Sequence, residues 1–199
     1  MNPLYQITKV CPLCKTEGNR LICTTCANDD EYFKKLKIAN SENIHSNWFL
    51  CSNCKGAYNS LRLTPEGMSI MYSTSITSME IKNPLEKFEK ISLLNNSESE
   101  TYMKAKWFVS NSSIFNTRSL NFLDFGCGMG IFQWNLIKKF EKSPLKIYGI
   151  EPSTDYIDCC KKNLEGSFYC GSDKNLEIFL DDFFDLISSI TVLEHLLDP

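Results

Sequence analysis

Residues Leu120 to Gly130 read LNFLDFGCGMG: an apolar run with Asp124 near its end, then glycines at alternate positions, Gly126, Gly128 and Gly130. Residues 121–125 have the length and composition of a buried strand, and beyond the glycines Ile131, Trp134, Ile137 and Phe140 recur at helical spacing. Strand, glycine turn and helix in that order predict a turn that faces a ligand. Glycine tolerates positive φ and lets a ligand approach the backbone with no Cβ in the way.

Such a turn is shared by two kinds of nucleoside cofactor. The dinucleotide fingerprint spaces its glycines G-x-G-x-x-G and expects an acid about 20 residues later; here the third glycine comes one residue early. A second strand, residues 146–150, ends in Glu151, a carboxylate suited to two ribose hydroxyls, which both cofactors carry. Asp124, two residues before the first glycine, and the segment FDLISSITVLEHLLDP from Phe184 onward separate the two.

On these residues the chain resembles class I S-adenosylmethionine-dependent methyltransferases. Leu123 to Gly130 matches the family's first motif and Glu151 its ribose-binding acid, while Asp185, residues 186–189 and Val192-Leu193-Glu194-His195 before Asp198-Pro199 are similar to the fourth motif of the subgroup that methylates small metabolites and sugars. The resemblance implies an α/β fold, a Rossmann-like doubly wound parallel sheet, with S-adenosylmethionine as cofactor. Asp124 then orients the cofactor's amino-acid end, Gly126, Gly128 and Gly130 admit that end to the backbone, and Glu151 holds the ribose. Asp173, following a third strand at residues 167–170, corresponds to the acid that accepts from the adenine amino group; an exposed turn aspartate is the competing reading. A hydroxyl or carbon-acid acceptor needs a general base, and the only histidines are His45 and His195. His195 follows the fourth strand and its unperturbed pKa suits proton transfer near neutrality. The rival view is that Glu194 and His195 merely begin a helix and shape the cofactor pocket.

Ten cysteines are many for 199 residues, and six fall in C-x-x-C pairs: Cys11 with Cys14, Cys23 with Cys26, and Cys51 with Cys54. Two such pairs complete a tetrahedral thiolate shell around Zn2+, whereas disulfides are the weaker reading in a reducing compartment. Three pairs are one more than a single site needs. Local spacing favours Cys23-Cys26 as partner of Cys11-Cys14, since a short loop between pairs costs little closure entropy. Resemblance points elsewhere: an N-terminal zinc module of related methyltransferases has a second half like residues 48–72 here, which implies Cys11, Cys14, Cys51 and Cys54 as ligands and Cys23-Cys26 in an inserted loop. His45 could then complete a second site with Cys23 and Cys26. Of the other cysteines, Cys160 and Cys170 read as core, Cys127 as a small residue inside the glycine loop, and Cys159 as lying off the buried face.

Composition is that of an ordinary globular chain, 43% apolar and 23% charged with net charge −3. Nucleic-acid binding normally needs a coherent basic face, and the densest basic group of the first half is only Lys34, Lys35 and Lys37. No run reaches the length of a membrane span and the N-terminus lacks a signal peptide's apolar core, so the expected compartment is the cytoplasm. The organisation expected is a zinc-binding module at 1–62, a helical connecting region at 63–117 and the N-terminal part of an S-adenosylmethionine-binding domain at 118–199. Helices are expected from Pro65, from Pro84 to about 94, over 99–110, and near 130–141, 154–164, 175–181 and from 192, with Trp107 and Phe108 as packing residues. A complete domain of the family has seven strands and this chain ends after the fourth, which implies an exposed edge at residues 186–190. The missing strands would come from a C-terminal segment or from a partner. The function expected is methyl transfer to a small-molecule acceptor, such as a nucleotide-linked sugar or polysaccharide precursor. The alternatives are a non-catalytic zinc-binding or adaptor protein and an NAD-dependent dehydrogenase.

Overall fold

The cysteine-rich stretch is built of short antiparallel strands. β1 (Tyr5–Ile7) pairs with a later strand at Leu61–Leu63, while β2 (Arg20–Cys26), β3 (His45–Leu50) and β4 (Ala57–Asn59) form a three-stranded sheet in that order. Between β4 and β5 (Leu61–Leu63) the chain turns at the buried Ser60, held by the Asn59 side chain accepting from the Leu61 amide at 2.8 Å. α1 (Pro65–Tyr72) starts where the sequence predicts: Thr64 Oγ1 accepts from the Gly67 amide at 3.2 Å, and proline stands at the first helical position. Met71 and Leu61 form its small core with Leu4, Tyr5, Leu63 and Tyr72.

The computed structural model describes residues 4–26, 45–73, 83–112, 119–139 and 145–196. They divide into two units, one of Met1–Tyr72 with Leu193–Pro199 and one of Ser73–Val192. The division leaves α1 with the cysteine-rich unit and puts the remaining helices of the connecting stretch with the second. Lys34, Lys35, Lys37, Phe140 and Asp198-Pro199 lie outside the described residues.

In the second unit α2 (Pro84–Ser92) and α3 (Glu100–Asn111) are each capped by a side chain: Asn83 accepts from the Leu85 amide and Ser99 from the Tyr102 amide. There follow β6 (Leu120–Phe125), α4 (Ile131–Lys139), β7 (Leu145–Glu151), α5 (Thr154–Asn163), β8 (Ser167–Cys170), a 3-10 turn at Asp173–Ile178 and β9 (Leu186–Ser188). All four strands are parallel, in the order β8-β7-β6-β9. β6 is central because both its neighbours are strands reached by crossovers, and its side chains Leu120, Phe122 and Leu123 are fully buried. One core gathers Phe122, Phe132, Leu136, Ile147, Ile157, Cys160, Leu164 and Phe168, and a second places Phe88 of α2 against Tyr156 and Cys159 of α5. The start of β9 is registered on β6 by Asn121, whose amide donates to Asp185 Oδ2 and whose side chain donates to Phe183 O, both at 2.9 Å. Among the described residues β9 has an open edge, and Ile187 is more than half exposed.

Several local expectations are corrected. Cys159 is buried, because α5 is covered on its outer side by α2, while Cys170 is exposed. Phe108 packs on Phe122 and Phe132, but Trp107 points outward at 66% exposure. The segment after β8 is a 3-10 turn rather than an α-helix, and so is Leu193–His195. Cys23 and Cys26 are not in a loop; they lie on β2, which is exposed along its whole length. No described helix is long and apolar enough to cross a membrane.

Candidate functional site

The glycine turn joins β6 to α4, and its three glycines all have positive φ, +77°, +53° and +85° for Gly126, Gly128 and Gly130. Their reasons differ. A Cβ on Gly126 would run into Val192, and one on Gly130 would sit 2.6 Å from Leu164 Cδ1 and 3.0 Å from Cys160 Sγ. A Cβ on Gly128 would meet nothing within 4 Å. Gly126 and Gly130 are thus fixed by packing, and Gly128 stands at the open surface of the turn. The turn's amides are largely committed inside the protein: Gly126 and Cys127 donate to Ile150 O, Gly130 to Cys127 O, and Gly128 to Glu151 Oε2 at 3.1 Å.

Asp124 and Glu151 stand at the carboxyl ends of neighbouring parallel strands, Asp124 opposite Gly149 on one side and Ser188 on the other. This is the rim at which open α/β sheets bind ligands. Asp124 is buried and accepts a 2.5 Å hydrogen bond from Ser188 Oγ. Burial pushes its carboxyl up to about 7; the Ser188 bond opposes that rise and the nearby Glu151 charge adds to it. Glu151, also buried, is raised by desolvation, and its two oxygens accept from the Ser153 and Gly128 amides, each at 3.1 Å. Each oxygen keeps a further lone pair, so acceptor capacity for hydroxyls remains. Two carboxylates that repel each other in a dry rim form a site where a cationic ligand gains most from ionising them.

Asp173 begins the 3-10 turn after β8 and is exposed, beyond the same carboxyl end of the sheet. His195 closes the 3-10 turn Leu193–His195, its ring centroid 5.9 Å from that of Tyr72, and the next residue's carbonyl, Leu196 O, accepts from Arg62 Nη2 at 2.5 Å. Tyr72 is the tyrosine at the end of the helix that closes the module resembled in sequence, whereas Arg62 was not singled out from sequence and no local signal marks it. Cys127 is buried, and a hydrogen bond with Cys160 followed by burial holds its thiol well above the usual range, so it is no nucleophile.

In the other unit the sulfurs of Cys11, Cys14, Cys51 and Cys54 lie within 4.8 Å of one another. Cys11 Sγ is 3.7 Å from Cys54 Sγ, and Cys14 Sγ is 3.4 Å from Cys51 Sγ. Two equivalent turns present them. Cys11 N donates to Thr16 O and Cys51 N to Gly56 O, five residues on in each case. Lys15 and Lys55, next after each second cysteine, have φ of 57° and 61° and fold their ammonium groups onto Pro12 O and Ser52 O. These lysines are the signal that sequence reading passed over. A Zn–S bond of about 2.3 Å makes the edge of a tetrahedral thiolate shell roughly 3.8 Å, so the observed sulfur spacings fit that ion with little movement. Cys23 and Cys26 do not join this cluster. Cys26 is paired across strands with His45, and Cys23 with Trp48.

Among solved structures, the chain is similar to the plantazolicin methyltransferase BpumL in complex with SAH, at 25% identity over 53% of this chain and 44% of that one, with a TM-score of 0.36. It is also similar to magnesium protoporphyrin IX methyltransferase from Synechocystis PCC 6803 with bound SAM, at 17% identity over 61% of this chain and 55% of that one, with a TM-score of 0.38. The chain therefore spans about half the length of these relatives. No curated protein matches it. Residues 123–199 match the family model described as "Methyltransferase domain", and with its parallel four-stranded sheet and flanking helices the C-terminal part of the chain has the Rossmann-like fold of class I methyltransferases.

Proposed function

We propose that the chain binds S-adenosylmethionine at the carboxyl rim of β6 and β7 and serves methyl transfer to a small-molecule acceptor. The observation that carries this is the pair Asp124 and Glu151, buried on adjacent strand ends beside a glycine turn whose middle glycine is open. A dinucleotide-binding enzyme needs a ribose acid at this rim but has no use for a second carboxylate buried at the end of β6. Asp124 gains a reason when its ligand is a cation: the ammonium and sulfonium charges of S-adenosylmethionine favour its ionised form, while Glu151 offers its remaining lone pairs to the ribose hydroxyls. The exposed Asp173 is proposed for the adenine amino group.

When bound, S-adenosylmethionine supplies a methyl group whose carbon–sulfur bond breaks, with the electron pair going to sulfur, as the acceptor's bond to carbon forms. The protein's part is to hold donor and acceptor in line, the kind of restriction that supplies several kcal/mol of a barrier. His195 is proposed to take the acceptor's proton when that acceptor is a hydroxyl or carbon acid. The sequence resemblance favours a nucleotide-linked sugar or polysaccharide precursor as acceptor. A strand pairing with the open edge of β9 is part of the same proposal. Zn2+ is proposed in the Cys11, Cys14, Cys51 and Cys54 shell, where four thiolates leave no open coordination position, so the ion has a structural role.

Titration of the purified chain with S-adenosylmethionine and, separately, with NADH tests the reading. Saturation by S-adenosylmethionine, lost in Gly128→Arg with the fold retained, is the expected result. Binding of NADH alone favours a dehydrogenase, and binding of neither favours an adaptor built on the same fold.

A further inference from the structure

The two cysteine turns have no covalent link, and the sequence between them includes the whole of β2 and β3. Apart from the sulfurs themselves, the Asn19 side chain bridges them directly. Asn19 Nδ2 donates to Thr16 O at 3.0 Å, the same carbonyl that closes the first turn by accepting from Cys11 N. Asn19 Oδ1 accepts at 3.2 Å from the amide of Ser52, which lies between the ligand positions Cys51 and Cys54. The amide nitrogen also reaches Lys9 O at 2.9 Å and Tyr58 Oη at 2.7 Å, and Tyr58 Oη donates to Lys9 O at 2.7 Å. Tyr58 is buried against Cys11, Cys51 and Phe49. The orientation of the amide is dictated by its partners: reversed, it would set oxygen against two carbonyls and nitrogen against an N–H.

We propose that Asn19 is a positioning residue for metal binding, a non-ligand whose amide, braced by Tyr58, holds the two cysteine turns at the separation that a single ion requires. The proposal rests on the four-thiolate reading of the cluster. Without Asn19 each turn keeps its own fold, since the Cys11 to Thr16 and Cys51 to Gly56 bonds remain. What is lost is the register between them, and the ion must then supply that ordering out of its own binding energy. Outer-shell partners of metal ligands typically change affinity about 10- to 100-fold.

The test uses the full chain, loaded with Co2+ for its spectrum and titrated with Zn2+ against a chromogenic chelator. In Asn19→Ala the zinc affinity is expected to fall about 10- to 100-fold, while the Co2+ form keeps the charge-transfer and visible bands of a tetrahedral four-sulfur site, because no ligand has been removed. Tyr58→Phe, which keeps the ring and removes only the hydroxyl, is expected to fall by a smaller factor with the same spectrum. Thr24→Ala, on the exposed strand β2 and outside the brace, serves as the unchanged control. Unaltered zinc affinity in Asn19→Ala overturns the proposal. Should that variant fail to fold even with metal, unaltered affinity in Tyr58→Phe overturns it instead. A native chain that shows no four-sulfur spectrum refutes the four-thiolate reading itself and is told apart by that measurement.

Discussion

Asp124→Asn is the substitution on which the reading of the rim can be tested most directly. The change is isosteric and keeps an oxygen to accept from Ser188 Oγ, so its effect is that of a charge and a proton. In the folded chain the carboxyl titrates near 7 instead of the ordinary 3.8. That is roughly a thousandfold higher proton affinity, about 4 kcal/mol at ~1.4 kcal/mol per tenfold. The folded state therefore holds this proton more tightly than the unfolded state. The stability it contributes is complete below pH 3.8 and is lost as pH rises through 7, because above that pH the fold must carry a buried negative charge. The amide of the variant carries no such charge. Urea unfolding without ligand should show the variant gaining on the native chain with rising pH, by up to about 1.4 kcal/mol per pH unit, levelling above pH 7 at a gap on the order of 4 kcal/mol. A cationic ligand reverses the order: S-adenosylmethionine affinity should rise through pH 7 in the native chain, where Asp124 becomes ionised, and be weaker and without that rise in the variant. Equal differences in unfolding free energy at about pH 5 and about pH 8 would refute the argument that Asp124 is held by desolvation at a functional rim.

The glycines of the turn should separate by cause. Gly130→Ala meets Leu164 and Cys160 and is expected to lower stability by about 2–4 kcal/mol in thermal or urea melts, whereas Gly128→Ala costs only the backbone strain of positive φ, about 1–2 kcal/mol. Equal losses would contradict the packing assignment. Metal analysis of purified variants is expected to show one zinc per native chain, loss in Cys51→Ser and retention in Cys23→Ser; retained zinc in Cys51→Ser would reverse the ligand set. Gln133 is fully buried, and among the described residues neither its Nε2 nor its Oε1 has a hydrogen-bond partner. Replacing it with Leu removes an unpaired amide at similar volume and should stabilise the chain by about 1–2 kcal/mol. A destabilised Gln133→Leu would show that the amide is satisfied in solution, by an internal water or another partner.

The centre of the second unit was legible because β6 is covered on both faces and therefore reads as a largely apolar run bounded by turn signals. The glycine turn was legible for the same physical reason that it works: three positions of positive φ admit little else. Cys159 was not. A helical face chosen to meet the sheet, Ile157, Cys160 and Leu164, says nothing of a second helix on the other side. α2 buries Cys159 and Tyr156 through Phe88, a contact between segments far apart in the chain that no periodicity within α5 can announce.

The cysteine pairs show where spacing alone misleads. Loop entropy favours joining the pairs nearest in sequence, yet reaching from Cys14 to Cys51 rather than to Cys23 lengthens the closed loop by only about two doublings, roughly 1.3 kcal/mol, and local geometry decides. Cys23 and Cys26 are three apart on β2, an odd separation that turns their side chains to opposite faces of the strand. Cys11-Cys14 and Cys51-Cys54 sit instead on turns that bring both sulfurs to one side, and each turn is completed by a lysine in the left-handed region. That lysine follows the second cysteine in CPLCK and CSNCK, and alanine stands there in CTTCA. The residue after the pair, rather than the distance between pairs, was the physical discriminator.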